Sequence, residues 1–230
     1  MSLGGFPEPY FSGSVTEAKR WSRQYRTRLI HEDIVALERT TEIQKIELMM
    51  LRLPDLVGSP LSINSLREDL NVSHKAVSNW LDILERLYSV FRIPPVTGNL
   101  LRAVKKEQKH YHYDWTLVKD PGLRFENMVA VHLKKWACWQ QDVFGRDVEL
   151  HYFRDVDRRE VDFVMVEDGK PLFCVESKLE STTLSNHLLY FLKKFPACKG
   201  WQITLSGSKN VTTREGVRIA PAVVFLGELI

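Results

Sequence analysis

Two carboxylates and a lysine on neighbouring predicted strands are the residues of this chain whose types and spacing best suit chemistry. Asp162 lies fourteen positions before Glu176 in the triplet Glu176-Ser177-Lys178, and Glu126 lies on a predicted helix that precedes both. Carboxylates can hold a hard divalent cation, which polarises a phosphate group and lowers the pKa of a bound water. A lysine beside them can steady the attacking water or the developing charge. This pattern indicates metal-dependent phosphodiester hydrolysis.

Whether these side chains share one face depends on the hairpin that joins the two strands. Apolar, β-prone runs flank Asp168-Gly169, which is a strong hairpin signal. Because side chains alternate along a strand, a two-residue loop would turn Glu176 to the face opposite that of Asp162. A three-residue loop, or a bulge that restores the parity, would bring Asp162, Glu176 and Lys178 onto one face. The metal site therefore requires the odd-length loop or the bulge.

A purely structural interpretation of the same residues stands beside the functional one. Acidic and basic residues at strand ends are usually solvated. Both carboxylates, however, adjoin runs apolar enough to be buried, at 161–166 and 172–175. A charge at the edge of a buried strand is costly unless it is paired or bound to a metal. Spacing alone leaves both interpretations open.

The arrangement of Glu126, Asp162 and Glu176-Ser177-Lys178 resembles the PD-(D/E)XK nuclease motif, with Val161 where the proline of that motif would stand. The resemblance implies a catalytic set of Asp162, Glu176 and Lys178. It also implies that Glu126, Asp162 and Glu176 bind Mg2+ or Mn2+, and that the lysine assists the water.

Four segments in chain order, at 4–9, 125–129, 160–163 and 175–178, are similar to the C-terminal region of a prokaryotic AAA-type ATPase family. The C-terminal domain of that family is of unknown function. This similarity implies an ATPase module upstream in the same protein, and the resemblance to the nuclease motif implies a nucleic-acid partner, with DNA as the expected form. The chain contains no G-x-x-x-x-G-K-[ST] loop, so we expect ATP to bind only in that upstream module and this chain alone to lack ATPase activity.

The composition is that of a soluble protein with a real core. The chain has 230 residues, of which 44% are hydrophobic and 27% charged, which is enough for two units. No apolar run approaches the length of a membrane span and no secretory signal opens the chain, so we expect no membrane partner. Three cysteines without zinc-like spacing fit reduced thiols in the cytoplasm. A net charge of +3 is too small to indicate a nucleic-acid partner by itself.

Hydrophobic periodicity predicts an α/β (α+β) protein in three parts: helices in residues 1–40, a winged helix-turn-helix in residues 41–100, and a mixed sheet flanked by helices in residues 101–230. The resemblance implies that residues 1–40 are a helical linker from the ATPase module and that residues 101–230 are the nuclease-like domain. Ser62 and Ser73 are expected to cap the two helices of the helix-turn-helix. The run at 217–226 is expected to be the strand that closes the sheet.

Two sets of residues are candidates for contact with nucleic acid. Lys75 and Asn79 lie near the start of the second helix of the helix-turn-helix, although opposite charges cancel between residues 61 and 93. A second, lysine-rich set follows, for which a solvated turn is the alternative interpretation: Arg102, Lys105, Lys106 and Lys109. His110 and His112 could also offer a metal pair on one strand face, without an identified third ligand.

Two classes of function follow from these residues. The first is a magnesium-dependent endonuclease, or a nuclease-like domain that binds nucleic acid. The second is a non-catalytic regulatory or docking region that serves the upstream ATPase. The sequence leaves open whether this chain is an enzyme.

Overall fold

A computed structural model describes residues 1–34, 42–96, 107–180 and 183–229 of the chain. Its contacts divide into two units, Met1–Arg92 with Lys109–Asn127, and Ile93–Gln108 with Met128–Ile230. This division differs from the sequence prediction, which places domain boundaries at residues 40 and 100. The expected linker contributes Leu29, Ile30 and Ile34 to the same buried cluster as residues of the helix-turn-helix, because these apolar side chains need a shared core.

The first unit is mainly helical and carries a two-stranded sheet. A π-helical turn at Leu29–Ile34 extends the second helix, and 3-10 turns lie at Leu53–Leu56 and Trp115–Leu117. The sheet pairs β1 (Val90–Ile93) with β2 (Lys109–His112). The α-helices are α1 (Pro7–Ser12), α2 (Val15–Arg28), α3 (Ile43–Arg52), α4 (Ile63–Leu70) and α5 (His74–Arg86).

Serine caps start both helices of the helix-turn-helix, as the sequence predicts. Ser62 Oγ accepts a hydrogen bond from Ser65 N at 3.3 Å, and Ser73 Oγ accepts one from Ala76 N at 3.1 Å. Asn71, with φ of 51°, ends α4 in the left-handed conformation that allows the tight turn. The buried face of α5 then packs into the core of the first unit.

The second unit is built on a six-stranded mixed sheet. Its strands are β3 (Val148–Arg154), β4 (Glu160–Glu167), β5 (Lys170–Lys178), β6 (Lys199–Thr204), β7 (Val211–Thr212) and β8 (Arg218–Pro221). They lie in the order β3-β4-β5-β6-β8-β7. Strands β3, β4 and β5 are antiparallel, β5, β6 and β8 are parallel, and β7 is antiparallel to β8. The remaining helices are α6 (Pro121–Phe144), whose first residues belong to the first unit, α7 (Asn186–Lys194) and α8 (Ala222–Gly227). This confirms the α/β class.

The expectation of a single closing strand at 217–226 is wrong. The strand ends at Pro221, and helix α8 begins at Ala222. Proline has no N–H to donate to a sheet ladder, and it is well tolerated beside the first turn of a helix. Within the described residues, the chain has no helix of the length and apolar character needed to cross a lipid bilayer.

The β4–β5 hairpin resolves the question of parity. Asp168 and Gly169 have φ of 49° and 75° and form a two-residue loop closed by the pair Glu167↔Lys170. The prediction of a three-residue loop is therefore wrong. The register then shifts between Met165 and Val166, so that one extra residue of β5 is bulged and Phe163 pairs with Val175. The bulge restores the parity that the candidate site needs.

We expect Ser73→Ala to lower the free energy of unfolding by about 1 kcal/mol, because the N–H of Ala76 loses its acceptor at the start of α5. Chemical denaturation would measure this change. Ser73→Asp is the matched control, since aspartate also caps helices and should retain most of the stability. Equal losses in the two variants would contradict the role of the cap.

Candidate functional site

Asp162 and Glu176 lie on adjacent strands, where β4 begins and β5 approaches its end. The pair Phe163↔Val175, continued by one residue, sets Asp162 opposite Glu176. Asp162 leans toward the next residue of β5: its Oδ2 accepts hydrogen bonds from Ser177 N at 2.8 Å and from Ser177 Oγ at 2.7 Å. These two donors fix the orientation of the Asp162 carboxylate relative to β5.

Glu176 is the most perturbed carboxylate of the site. Its side chain is only 5% exposed, and its Oε2 atom is buried without a hydrogen-bond partner among the described residues. Burial, followed by the nearby charge of Asp162, raises its pKa to about 7, although Lys178 acts in the opposite direction. Glu176 is therefore poised between its neutral and its ionised form near neutral pH.

Lys178 lies beside Glu176, as the two-residue spacing along β5 predicts. Its Nζ atom is 2.7 Å from Glu176 Oε1, and 43% of its side chain remains exposed. The ammonium group therefore reaches both the buried carboxylate and the solvent. The structure thus brings together Asp162, Glu176 and Lys178.

Glu126 occupies a different environment, in the first unit. Its Oε1 atom accepts hydrogen bonds from Lys109 Nζ at 3.3 Å and from Tyr111 Oη at 2.7 Å. A Cβ atom added at Gly58, which has φ of +84°, would lie 2.6 Å from Leu123 Cδ2 and 3.4 Å from Glu126 Oε2, so backbone packs closely over this carboxylate. Glu126 is thus neutralised inside its own unit.

No group of three or more His, Cys, Asp or Glu side chains is placed to hold a metal ion in the part of the chain that the structure describes. Glu126 belongs to the first unit, and Asp162 and Glu176 belong to the second, so the role of Glu126 as a metal ligand stays a prediction from the resemblance. Within the second unit, Asp162 and Glu176 are the predicted acidic ligands that the fold brings together.

The candidate contacts to nucleic acid divide into three groups. Lys75 and Asn79 are exposed on α5, in keeping with a contact role that stays a prediction. Lys109 is fully buried and pairs with Glu126, so its proposed surface contact with nucleic acid is corrected, since a phosphate cannot reach its ammonium group. The remaining three lie outside the described residues: Arg102, Lys105 and Lys106.

His110 and His112 point to the same interior region of the first unit. Their ring centroids are 5.6 Å apart, and His110 Nε2 lies 2.8 Å from the carbonyl oxygen of Leu53. Burial lowers the pKa of His110 to about 4 and that of His112 to about 3. Both rings are neutral at pH 7, and no third ligand joins them among the described residues.

Two contributors to the site are not among the sequence predictions. The sequence assigns no role to Ser177, yet this residue supplies two donors to Asp162. Gln202 on β6 pairs with Glu176 in the parallel register and is fully buried. Its side chain accepts from Ser185 N and donates to Thr183 O, each at 2.9 Å, which holds the segment that follows β5. A lone glutamine in an apolar strand is the signal that could have indicated Gln202.

Two family models match the chain. Residues 1–120 match a domain of unknown function, DUF8612, and residues 121–224 match another, DUF4143. The second domain is often found at the C-terminus of AAA-type ATPases. Neither a curated protein nor a solved structure matches the chain.

We expect Glu126→Gln to lower the free energy of unfolding by about 3 kcal/mol, because it leaves the buried ammonium of Lys109 without this opposite charge. Denaturant titration measures the loss. Glu68→Gln is the matched control, since it breaks an exposed pair with Arg67 and should change stability by less than about 0.5 kcal/mol. Similar small effects in both variants would show that Glu126 is not held by its pair.

The raised pKa of Glu176 predicts a pH-dependent cost in stability. Between its ordinary value of 4.5 and its value of about 7, the folded state holds the proton more tightly than the unfolded state. Stability contributed by this group is therefore lost as the pH rises through that window. Glu176→Gln removes the titration, so its stability relative to the wild type should increase by roughly 1 to 3 kcal/mol between pH 4 and pH 8.

Denaturant titrations in the presence of a chelator, repeated across this pH range, would measure the difference. Glu180→Gln removes an exposed carboxylate two residues beyond Lys178 and is the matched control. The same pH dependence in both variants would refute the assignment to Glu176.

Proposed function

The chain belongs to the DUF8612 family through its residues 1–120, and we propose that its second unit is a metal-dependent phosphodiester hydrolase domain that acts on nucleic acid. The similarity of residues 121–224 to a domain associated with AAA-type ATPases supports an ATPase module as its partner in the same protein. The observation that carries the hydrolase proposal is the Oε2 atom of Glu176 beside Asp162 and Lys178, which is buried and finds no hydrogen-bond partner in the part of the chain that the structure describes.

The donor set suits a hard divalent cation. Asp162 and Glu176 offer carboxylate oxygens, and Mg2+ is commonly held by one or two carboxylates while it keeps several waters. The unmet acceptor on Glu176 would gain a partner from such an ion. Mg2+ or Mn2+ bound there would supply a Lewis acid for the phosphate and a water of lowered pKa. Glu126 is not required for this donor set.

Each residue of the chain then has a separate task. Ser177 orients the Asp162 carboxylate through its N–H and its hydroxyl. Glu176 would release its proton when a cation binds beside it, since an opposite charge nearby favours the ionised form of a carboxylate. Lys178 holds Glu176 Oε1 at 2.7 Å and, because it reaches solvent, can donate to the attacking water or to a phosphate oxygen.

Two further parts of the proposal concern substrate and compartment. DNA is the proposed substrate, supported by the exposed Lys75 and Asn79 on α5, which are residue types that contact phosphates and base edges. The cytoplasm is the proposed compartment, supported by three cysteines that are all free thiols.

A non-catalytic docking region of the ATPase is the second candidate function. The observation that favours it is the ion pair of Lys178 Nζ with Glu176 Oε1 at 2.7 Å, which gives this carboxylate an internal partner without a metal. A domain of this kind would keep the fold and the buried Glu176 without turning over a substrate.

Calorimetric titration with MnCl2, followed by cleavage assays on single-stranded, duplex and branched DNA, tests the proposal. We expect the wild type to bind Mn2+ and to cleave at least one DNA form. Asp162→Asn should weaken the binding of Mn2+ by about tenfold or more and abolish cleavage, because it removes an anionic ligand.

Glu180→Gln is the control of equal charge change and should match the wild type in both assays. Mn2+ binding without cleavage of any DNA form would favour the docking function. Cleavage that persists in Asp162→Asn, or the absence of Mn2+ binding by the wild type, would overturn the hydrolase proposal.

A further inference from the structure

A cleft with cationic walls lies in the first unit, and the proposed hydrolase function does not use it. Its volume is about 360 Å³. Helix α2 supplies Lys19, Arg23 and Arg26 to its lining, and Lys119 lines it from the segment between the 3-10 turn and α6. Asp55 is the acidic residue of the lining. Positive charge therefore exceeds negative charge along the walls of this cleft.

The three cations of α2 form one stripe of the helix. Their spacing of four and three residues places Lys19, Arg23 and Arg26 on the same face. With a rise of about 1.5 Å per residue, this stripe extends roughly 10 Å along the helix axis. Like charges at this spacing repel one another, so the stripe costs stability unless an anion offsets it.

A buried polar contact fixes the position of α2 against the opposite wall. Ser22 Oγ donates to Asp114 Oδ2 at 2.6 Å, in the interior of the unit. The other oxygen of Asp114 accepts from the N–H and the hydroxyl of Thr116, which also lines the cleft. Asp114 is thus occupied by neutral donors that hold the two walls together, and the cleft is a defined feature of the fold.

Arg26 is half-buried and lines the cleft. Its Nε atom is buried and has no hydrogen-bond partner among the described residues. Buried polar atoms are nearly always paired, so an anion that binds the terminal nitrogens of this guanidinium would offset part of the cost of the unmet donor beside them. Lys119 contributes less, because its ammonium lies 3.6 Å from Asp55 and its side chain is 85% exposed.

We infer that this cleft binds a small anion with two or more linked phosphates. A guanidinium group donates in a fork that matches phosphate oxygens, and Arg23 and Arg26 present two such forks on one stripe. The roughly 10 Å stripe is longer than one phosphate group requires. The volume lies near the lower end of the range for small-molecule sites, about 300 to 1,000 Å³, which favours a compact ligand over a nucleic-acid strand.

Calorimetric titration of the whole chain with sodium pyrophosphate, at low ionic strength and with a chelator present, tests this inference. The double variant Arg23→Gln/Arg26→Gln should weaken pyrophosphate binding by about tenfold or more, because two charge-assisted contacts are lost. Lys193→Gln/Lys194→Gln removes the same charge from the last turn of α7 and should change the affinity less than about twofold.

Three more variants keep the test decisive. Lys19→Gln/Arg23→Gln alters exposed side chains alone and should weaken binding even if the change at Arg26 disturbs folding. Asp55→Asn should strengthen binding, because it removes the acidic residue of the lining. Asp162→Asn should leave pyrophosphate binding unchanged, which separates this cleft from the hydrolase site.

Equal weakening in the α7 control and in the Arg23→Gln/Arg26→Gln variant would reduce the effect to general charge attraction and would overturn the inference. A 20-nucleotide single strand that binds through these arginines while pyrophosphate does not would also overturn it, in favour of a nucleic-acid surface.

Discussion

Burial of the Glu176 carboxylate beside Asp162 is the constraint on which the candidate site of the second unit depends. Two carboxylates in a poorly solvated place cannot both ionise cheaply, and one ammonium group, from Lys178, offsets part of that cost. Glu176 therefore keeps a proton more tightly than an ordinary carboxyl group does, at a position where a divalent cation could bind. Binding of such a cation should release protons, because ligands must lose them before they coordinate.

The bulge in β5 decides whether this pair can exist at all. The sequence identifies the hairpin tip, but the loop length alone would have separated the two carboxylates onto opposite faces. Pro171 is the signal that favours a bulge, since proline cannot donate to a ladder and is found at strand edges and irregularities. The observed shift of register lies next to the pair Val166↔Pro171. The sequence therefore shows that either a three-residue loop or a bulge is needed to place both carboxylates on one face. Only the structure shows that the bulge meets this need.

Local chemistry was predictable where one residue and its near neighbours settle the outcome. The caps at Ser62 and Ser73 and the strand Val148–Arg154 are of this kind. Lys109 was not predictable, because its burial depends on Glu126, a partner on another element. A lysine in a charged stretch looks solvated until the carboxylate that neutralises it is known. The same limit applies to Ser177, whose contacts with Asp162 cross between strands.

The two-residue tip at Asp168-Gly169 and the bulge beside Pro171 are linked through one count of residues. Removal of a single residue from this turn region would exchange the inward and outward sides of everything distal to it on β5, including the position of Glu176. A related hairpin of different length can therefore keep the paired carboxylates only if the total number of residues between them changes by an even number. Hairpin length, read alongside the acidic positions, would distinguish relatives that retain the arrangement from those that have abandoned it.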